Sequence, residues 1–405
     1  MGVVTGATVY RDKGETPVGI EDALGGRVDG CPELQYAYSP ELLPDAQSVS
    51  DTIWRYRSLL PLDEQPIQYP LAVGHTPLIA SPRLRRESGL SRLWVKDETR
   101  GPTASNKDRA TALVLEAGLR AGVKTVSAAS TGNVAVSLSV GAAASGLQCV
   151  VFVPGHVNPA KMRLCLAAGA TVVRVSAGYN VAYELSRWTA REYGWLDRNT
   201  GVNPLTLEAK KTVALEIWEQ LGEDFPDVVV APIGDGPTLC ALAKGFRELV
   251  ACGAAGRAPR LIGVQAEGCQ PVRLAWLDRT IPIALEPHTV ADGIAVGNPI
   301  SGEMVIRDVV ASDGGLVAVT DDDIVAATRQ LAMAGVLAEP AGSAAYAGLG
   351  VALKEQRMSA EERIVVLVTG SLLKTPDFIT EEGNSILVDG SHEALKAELA
   401  QLSLV

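Results

Sequence analysis

The sequence predicts an α/β fold of doubly wound parallel sheets, and three features lead there. Short runs of β-branched and aliphatic residues recur along the chain, as in Cys149–Val153, Val228–Ala231 and Ile364–Val368. These runs are apolar at consecutive positions, which suits strands buried on both faces. Between them lie alanine-rich segments of helical length, such as Lys107–Ala121 and Pro237–Val250. Strands alternating with helices make crossover units, and crossover units make parallel sheets.

Residues 1–60 stand apart as a polar extension punctuated by glycine and proline. Their aromatic cluster, Tyr36, Tyr38, Trp54 and Tyr56, predicts docking on the body of the protein. After the extended run Pro70–Leu78, the alternation begins. Strands are expected at Leu93–Lys96, Thr125–Ala128, Cys149–Val153, Thr171–Val175, Val228–Ala231, Arg260–Gln265 and Ile364–Val368. Helices are expected at Lys107–Ala121, Gly132–Ser145, Pro159–Ala168, Thr212–Leu221 and Pro237–Val250, with an amphipathic tail helix at Glu393–Leu402. Asp321–Asp323 reads as the acidic first turn of a helix rather than a metal site. There is no internal repeat and no low-complexity segment.

The chain has 405 residues, more than one average domain, so two compact lobes are expected. A net charge of −11 argues against a nucleic-acid or anionic-membrane partner, which would require a basic face. No apolar stretch is long enough to span a bilayer, and the residues after Met1 lack the apolar core of a signal peptide. The six cysteines are scattered without paired spacings, and the histidines (His75, His156, His288, His392) lie far apart. Buried, reduced thiols in a cytoplasmic protein without a metal site are the expectation.

Ligands of such folds bind at the carboxyl ends of the strands, so the loops there carry the chemistry. Lys107 opens a helix shortly after a strand, where the helix dipole favours the neutral amine that attacks a carbonyl. Ser130–Thr131–Gly132–Asn133 joins a strand to a helix, and its hydroxyls, amide and backbone N–H groups suit a carboxylate, though alone it reads more readily as a plain N-cap turn. In Gly234–Asp235–Gly236–Pro237–Thr238, glycines let the backbone approach a ligand and the next helix offers N–H groups to a phosphate. This segment lacks the P-loop spacing, and no GxGxxG with an acidic residue downstream marks a dinucleotide enzyme. Val368–Thr369–Gly370 ends a buried strand with a hydroxyl.

In this order, the loops resemble the threonine synthase branch of the fold-type II pyridoxal 5'-phosphate (PLP) enzymes, the tryptophan synthase β superfamily. The resemblance covers about Leu34 to Asp377. It is carried by Ile53–Arg57, Gly74–Leu78, Lys96–Thr99, Pro102–Arg109, Ser130–Asn133, Lys210–Thr212, Gly263–Gly268 and Glu339–Gly342. It implies two doubly wound lobes with the cofactor in the cleft between them. The large lobe would be 61–99 with 206–385, the small lobe 100–205, and the C-terminal tail helix 386–405. It implies a homodimer as well.

By the same resemblance, Lys107 holds PLP as a Schiff base, and Ser130, Thr131 and Asn133 grip the carboxylate of a small amino-acid substrate. Asn133 also meets the cofactor's ring hydroxyl, Gly234, Asp235, Gly236, Pro237 and Thr238 cradle its phosphate, and Thr369 faces its pyridine nitrogen. The implied reaction is elimination or replacement at Cβ or Cγ, with O-phosphohomoserine as the family's substrate.

Four departures bear on that substrate. Thr206 stands where the family has an arginine that helps bind substrate phosphate, leaving Lys210, Lys161 and Arg109 as candidates to compensate. Asn106 replaces the usual aromatic beside the lysine, Pro237 replaces a glycine and lacks an N–H, and Ser371–Thr375 replaces an HGLKD segment. The alternatives are therefore a cysteate synthase-like or other β-replacement enzyme, and a serine or threonine dehydratase or ammonia-lyase. A catalytically silent binding scaffold is the non-enzymatic reading.

Overall fold

A computed structural model describes residues 4–28, 30–44, 50–155, 159–378, 386–388 and 391–402. Among the described residues, thirteen strands form three sheets. An antiparallel sheet of order β2-β1-β3 is built from β1 (Val4–Arg11), β2 (Gly14–Val18) and β3 (Glu33–Tyr36). The next strands are β4 (Leu78–Ile79), β5 (Leu93–Asp97), β6 (Thr125–Ala129), β7 (Gln148–Pro154), β8 (Thr171–Val175) and β9 (Leu196–Asp197). Then come β10 (Val228–Pro232), β11 (Arg260–Ala266), β12 (Gly315–Val319) and β13 (Ile364–Val368). A six-stranded sheet runs β12-β11-β10-β13-β5-β4, and a four-stranded one runs β8-β7-β6-β9. Every pairing in these two sheets is parallel except β4 with β5.

Burial explains why the parallel strands are apolar at every position. Val228, Val230, Val366 and Val368 face one core with the helices Asp321–Met333 and Pro340–Lys354. Val229, Ala231, Val365 and Leu367 face the other, with Thr212–Leu221, Pro237–Ala251 and Gly302–Ala311. Covering both faces removes any need for alternation. The four-stranded sheet has its own core, where Val126, Ala128, Val151 and Val153 meet the helices Lys107–Arg120 and Asn133–Ala144.

Register places the site. Val228 pairs with Ile364, and Ile364 with Leu93, so β10, β13 and β5 run level. Their carboxyl ends therefore lie side by side, and the loops that follow them become neighbours despite lying far apart in sequence.

The N-terminal segment departs from a bare extension, because residues 4–36 form the antiparallel sheet. It docks through aromatic hydroxyls. Tyr36 Oη donates to Glu208 Oε2 at 2.7 Å and Tyr38 Oη to Glu248 Oε1 at 3.2 Å. The ammonium groups of Lys211 and Lys244 lie 4.3 and 5.0 Å from the Tyr36 ring centre. Asp321–Asp323 does begin a helix, capped reciprocally by Thr320 and Asp323. All six cysteines are buried and unpaired. Among the described residues, no helix is long and apolar enough to cross a membrane. His156 lies outside the described residues.

Candidate active site

Three loops meet where β5, β13 and β10 end. The β5 loop is held to the β13 loop by hydrogen bonds from Asn106 N to Thr369 O, 2.9 Å, and from Ser371 N to Ala104 O, 3.0 Å. Ala104 takes a left-handed conformation at φ +53°, and Lys374 Nζ donates to the carbonyls of Thr103 and Ala104, both at 2.8 Å. A non-glycine residue there is strained, and such strain persists only where surrounding contacts enforce it. The loop delivers Lys107 as the first residue of the helix Lys107–Arg120.

Lys107 Nζ donates to Asn106 Oδ1 at 2.8 Å, and Asn106 Nδ2 donates to Thr238 Oγ1 at 3.3 Å. One buried amide thus spans from the lysine to the glycine-rich loop after β10. Burial pulls the Lys107 amine down to about 8; Glu339 opposes this, while the positive charges of Arg198, Lys374 and Lys161 reinforce it. The sequence argument from the helix dipole had the right direction, but burial is the larger cause.

The loop after β10 has a tight backbone path that leads into a helix N-terminus. Gly236 has φ +102°, and a Cβ there would lie 2.7 Å from Val305 Cγ2; one at Gly234 would lie 3.1 Å from Ile294 Cα. Only glycine fits at Gly236. Pro237 begins the helix Pro237–Ala251, whose first turn leaves N–H groups without intrahelical partners. Asp235 is tied down, accepting from Ile300 N at 2.7 Å, and burial raises its carboxyl to about 6.

The loop after β6 approaches from the four-stranded sheet. Ser130 Oγ accepts from Gly132 N at 3.2 Å, Thr131 is exposed, and Asn133 begins the helix Asn133–Ala144 and is buried. Asn133 Nδ2 donates to Glu339 Oε1, which links the two large sheets' elements. Asn133 Oδ1 and Glu339 Oε2 are buried without a hydrogen-bond partner among the described residues. Glu339 N donates to Gly370 O at 2.9 Å, and a Cβ on Gly370 would lie 2.2 Å from Glu339 Oε1. Thr369, the residue before Gly370, is buried.

The structure therefore brings Lys107, Asn133, Gly234–Thr238 and Thr369 to one edge. The sequence reading had assigned no role to Glu339, although it noted the Glu339–Gly342 phrase, and it did not notice Arg198. The signal for Arg198 was slight, because the strand before it is only Leu196–Asp197. Among the described residues, no group of three or more His, Cys, Asp or Glu side chains is arranged to hold a metal ion.

A buried amide oxygen without a hydrogen-bond partner, a glycine-lined turn that leaves no room for a Cβ and a lysine with a lowered pKa fit a cofactor with a ring hydroxyl, a phosphate and an aldehyde. The comparisons agree. Residues 69–370 match the model of the pyridoxal-phosphate dependent enzyme family, and the chain belongs to that family. More particularly, it is a PLP-dependent lyase or synthase of fold type II, similar to threonine synthases. Threonine synthase of Methanocaldococcus jannaschii is 35% identical over 86% of this chain and 87% of its own length. That of Methanosarcina acetivorans is 33% identical over 91% and 92%. Among solved structures, diaminopropionate ammonia lyase from Escherichia coli superposes with a TM-score of 0.65 at 17% identity, covering 84% of this chain and 92% of that one. The last likeness concerns the fold alone.

Proposed function

We propose that the protein catalyses elimination or replacement on a small amino acid with a leaving group such as phosphate, O-phosphohomoserine or an analogue. The observation that carries this reading is the bridge Lys107–Asn106–Thr238, which sets a depressed amine against an anion cradle. Bound PLP supplies an electron sink for charge developing at the substrate's Cα.

The chain's own residues do the rest. Lys107 would hold the cofactor through its aldehyde carbon, and its amine would be the base for the substrate's α-proton; an amine near 8 is well matched to that task. Gly234, Asp235, Gly236, Pro237 and Thr238 surround the cofactor phosphate, with the helix N-terminus providing donors. Ser130, Thr131 and Asn133 hold the substrate carboxylate at the start of their helix. Thr369 would offer the cofactor's pyridine nitrogen a neutral hydroxyl, which would not keep that nitrogen protonated as a carboxylate would and so would favour expulsion of a leaving group over transamination.

Phosphate release from O-phospho-L-homoserine, with threonine as the product, tests the reading. Release from O-phosphoserine alone would shift the assignment to β-replacement. One observation favours a second reading: the Thr206 hydroxyl is spent on the Asn203 and Thr200 carbonyls, at 2.8 and 2.9 Å. A site without a phosphate-binding residue at that position suits a dehydratase or ammonia-lyase, which would release ammonia from serine or threonine instead.

A further inference from the structure

Most buried cations in this protein are matched by carboxylates. Arg109 pairs with Glu98 and Glu216 at 2.6 Å each, so it has no free donor face for a ligand. Lys161 pairs with Asp292 at 2.8 Å and lies 3.8 Å from Glu339. Lys211 and Lys244 share Glu208 and Glu248. Lys374 is held by two carbonyls, each at 2.8 Å.

Two cations beside Lys107 are different. Lys210, 2% exposed at the end of the helix Leu205–Lys210, has no hydrogen-bond or ion-pair partner among the described residues. Arg198 is fully buried, and its donors reach only Thr200 Oγ1 (2.9 Å), Thr111 Oγ1 (3.4 Å) and the Lys107 carbonyl (3.5 Å). The helix that ends in Lys210 is tied to Arg198 through Thr200, whose carbonyl accepts from Thr206 Oγ1 and whose hydroxyl accepts from Arg198 Nη1, both at 2.9 Å; the charged groups that most affect Lys210 are Lys107, Arg198 and, in opposition, Asp235. An unmatched buried cation either sheds its proton or waits for an anion, because desolvation without a partner costs several kcal/mol. Burial and its positive neighbours indeed hold the Lys210 amine well below the usual lysine range, and burial lowers Arg198 to about 10.

We propose that Lys210 and Arg198 form an anion-binding corner of the active site that receives the phosphoryl group of the substrate beside Lys107. The corner supplies the cationic donors that Thr206 lacks, and it makes an acidic substituent on the amino acid a requirement for tight binding. Arg198 presents a planar fork and Lys210 a compact charge, a combination suited to a dianionic tetrahedral group. The proposal rests on the functional reading above, with one alternative source for the same chemistry: the phosphate of the cofactor itself.

The test uses holoenzyme and inorganic phosphate, with binding read from the cofactor's absorbance and PLP affinity measured separately by reconstitution. Lys210→Met preserves side-chain volume and removes the charge; Lys210→Gln serves as the second variant should the first not fold. The expected result is that phosphate binding to the holoenzyme weakens by about tenfold or more, as for loss of a charge-assisted hydrogen bond, while PLP affinity stays within about twofold. If PLP affinity falls about tenfold and phosphate binding by holoenzyme is unchanged, the cation serves the cofactor and the assignment is overturned. If neither changes, the corner is overturned altogether. Lost phosphate binding in Lys210→Met, in a protein whose wild type turns over no phosphate ester, would uphold the corner while the proposed reaction falls.

Discussion

Two clusters of buried charge lie on the same helix, Lys107–Arg120, and they are built on opposite terms. In the first, Lys96 and Arg109 meet Glu98 and Glu216, with Lys96 Nζ 2.7 Å from Glu216 and Arg109 bound to both carboxylates. Each charge has its counter-charge, which holds the Glu216 carboxyl well below its usual range and the Arg109 guanidinium well above. In the second, two residues earlier along the helix, Lys107 stands near Lys210 and Arg198, neither of which is ion-paired. Matched charge locks β5 to the helix Thr212–Leu221 and serves the scaffold. Unmatched charge is costly by itself and, in the reading proposed above, serves ligands.

The largest effects should separate these roles. Lys107→Ala is expected to lower turnover by about 1000-fold or more, the scale of losing an acid–base group, with the melting temperature unchanged or raised. Glu216→Ala should do the reverse: it strands the buried Lys96 and leaves Arg109 with Glu98 alone, and costs about 3–5 kcal/mol in urea unfolding. A variant of Glu216 as stable as the parent would break the distinction. A smaller effect is expected at the cradle. Gly236→Ala forces a Cβ against Val305 at φ +102°, and should cost about 1–3 kcal/mol and weaken PLP binding.

Reactivity towards pH sharpens the contrast further. The charged form of Lys107 is disfavoured in the folded apoprotein, so its amine becomes neutral as pH rises through about 8. At pH 7.5 about a quarter of it is then neutral, against about one part in a thousand for an ordinary lysine. Acetylation of Lys107, followed by mass spectrometry, should therefore rise with a midpoint near 8 while surface lysines rise near 10.4. A midpoint shared with the surface lysines would contradict the burial argument.

Legibility in the sequence followed local pattern. Strands such as Val228–Pro232 and Ile364–Val368 declare themselves, because two-sided burial leaves an unbroken apolar run. The N-terminal sheet did not, because Gly6 and Gly14 interrupt its alternation and its second strand is exposed along most of its length. The helix Tyr179–Tyr193 is not among the expected helices either, although it buries Ala182, Ser186, Thr189 and Ala190 at helical spacing while exposing Trp188 and Tyr193. Within the site, Lys107, Asn133 and Thr369 were readable because each follows a strand at the edge where ligands bind. The contacts of Asn106 with Thr238, and the company kept by Lys210, were not readable. They follow from the strand order β10-β13-β5, a tertiary fact that no local run encodes. Of the candidates to replace the family arginine, Arg109 and Lys161 are excluded by their ion pairs, which the sequence could not reveal.

The most direct measurement is to reduce the PLP-loaded protein with borohydride and map the modified lysine by peptide mass spectrometry. The account predicts a pyridoxyl group on Lys107 at near-stoichiometric yield, abolished in Lys107→Ala. Label found on Lys210, or on any lysine away from the ends of β5, β10 and β13, would contradict it.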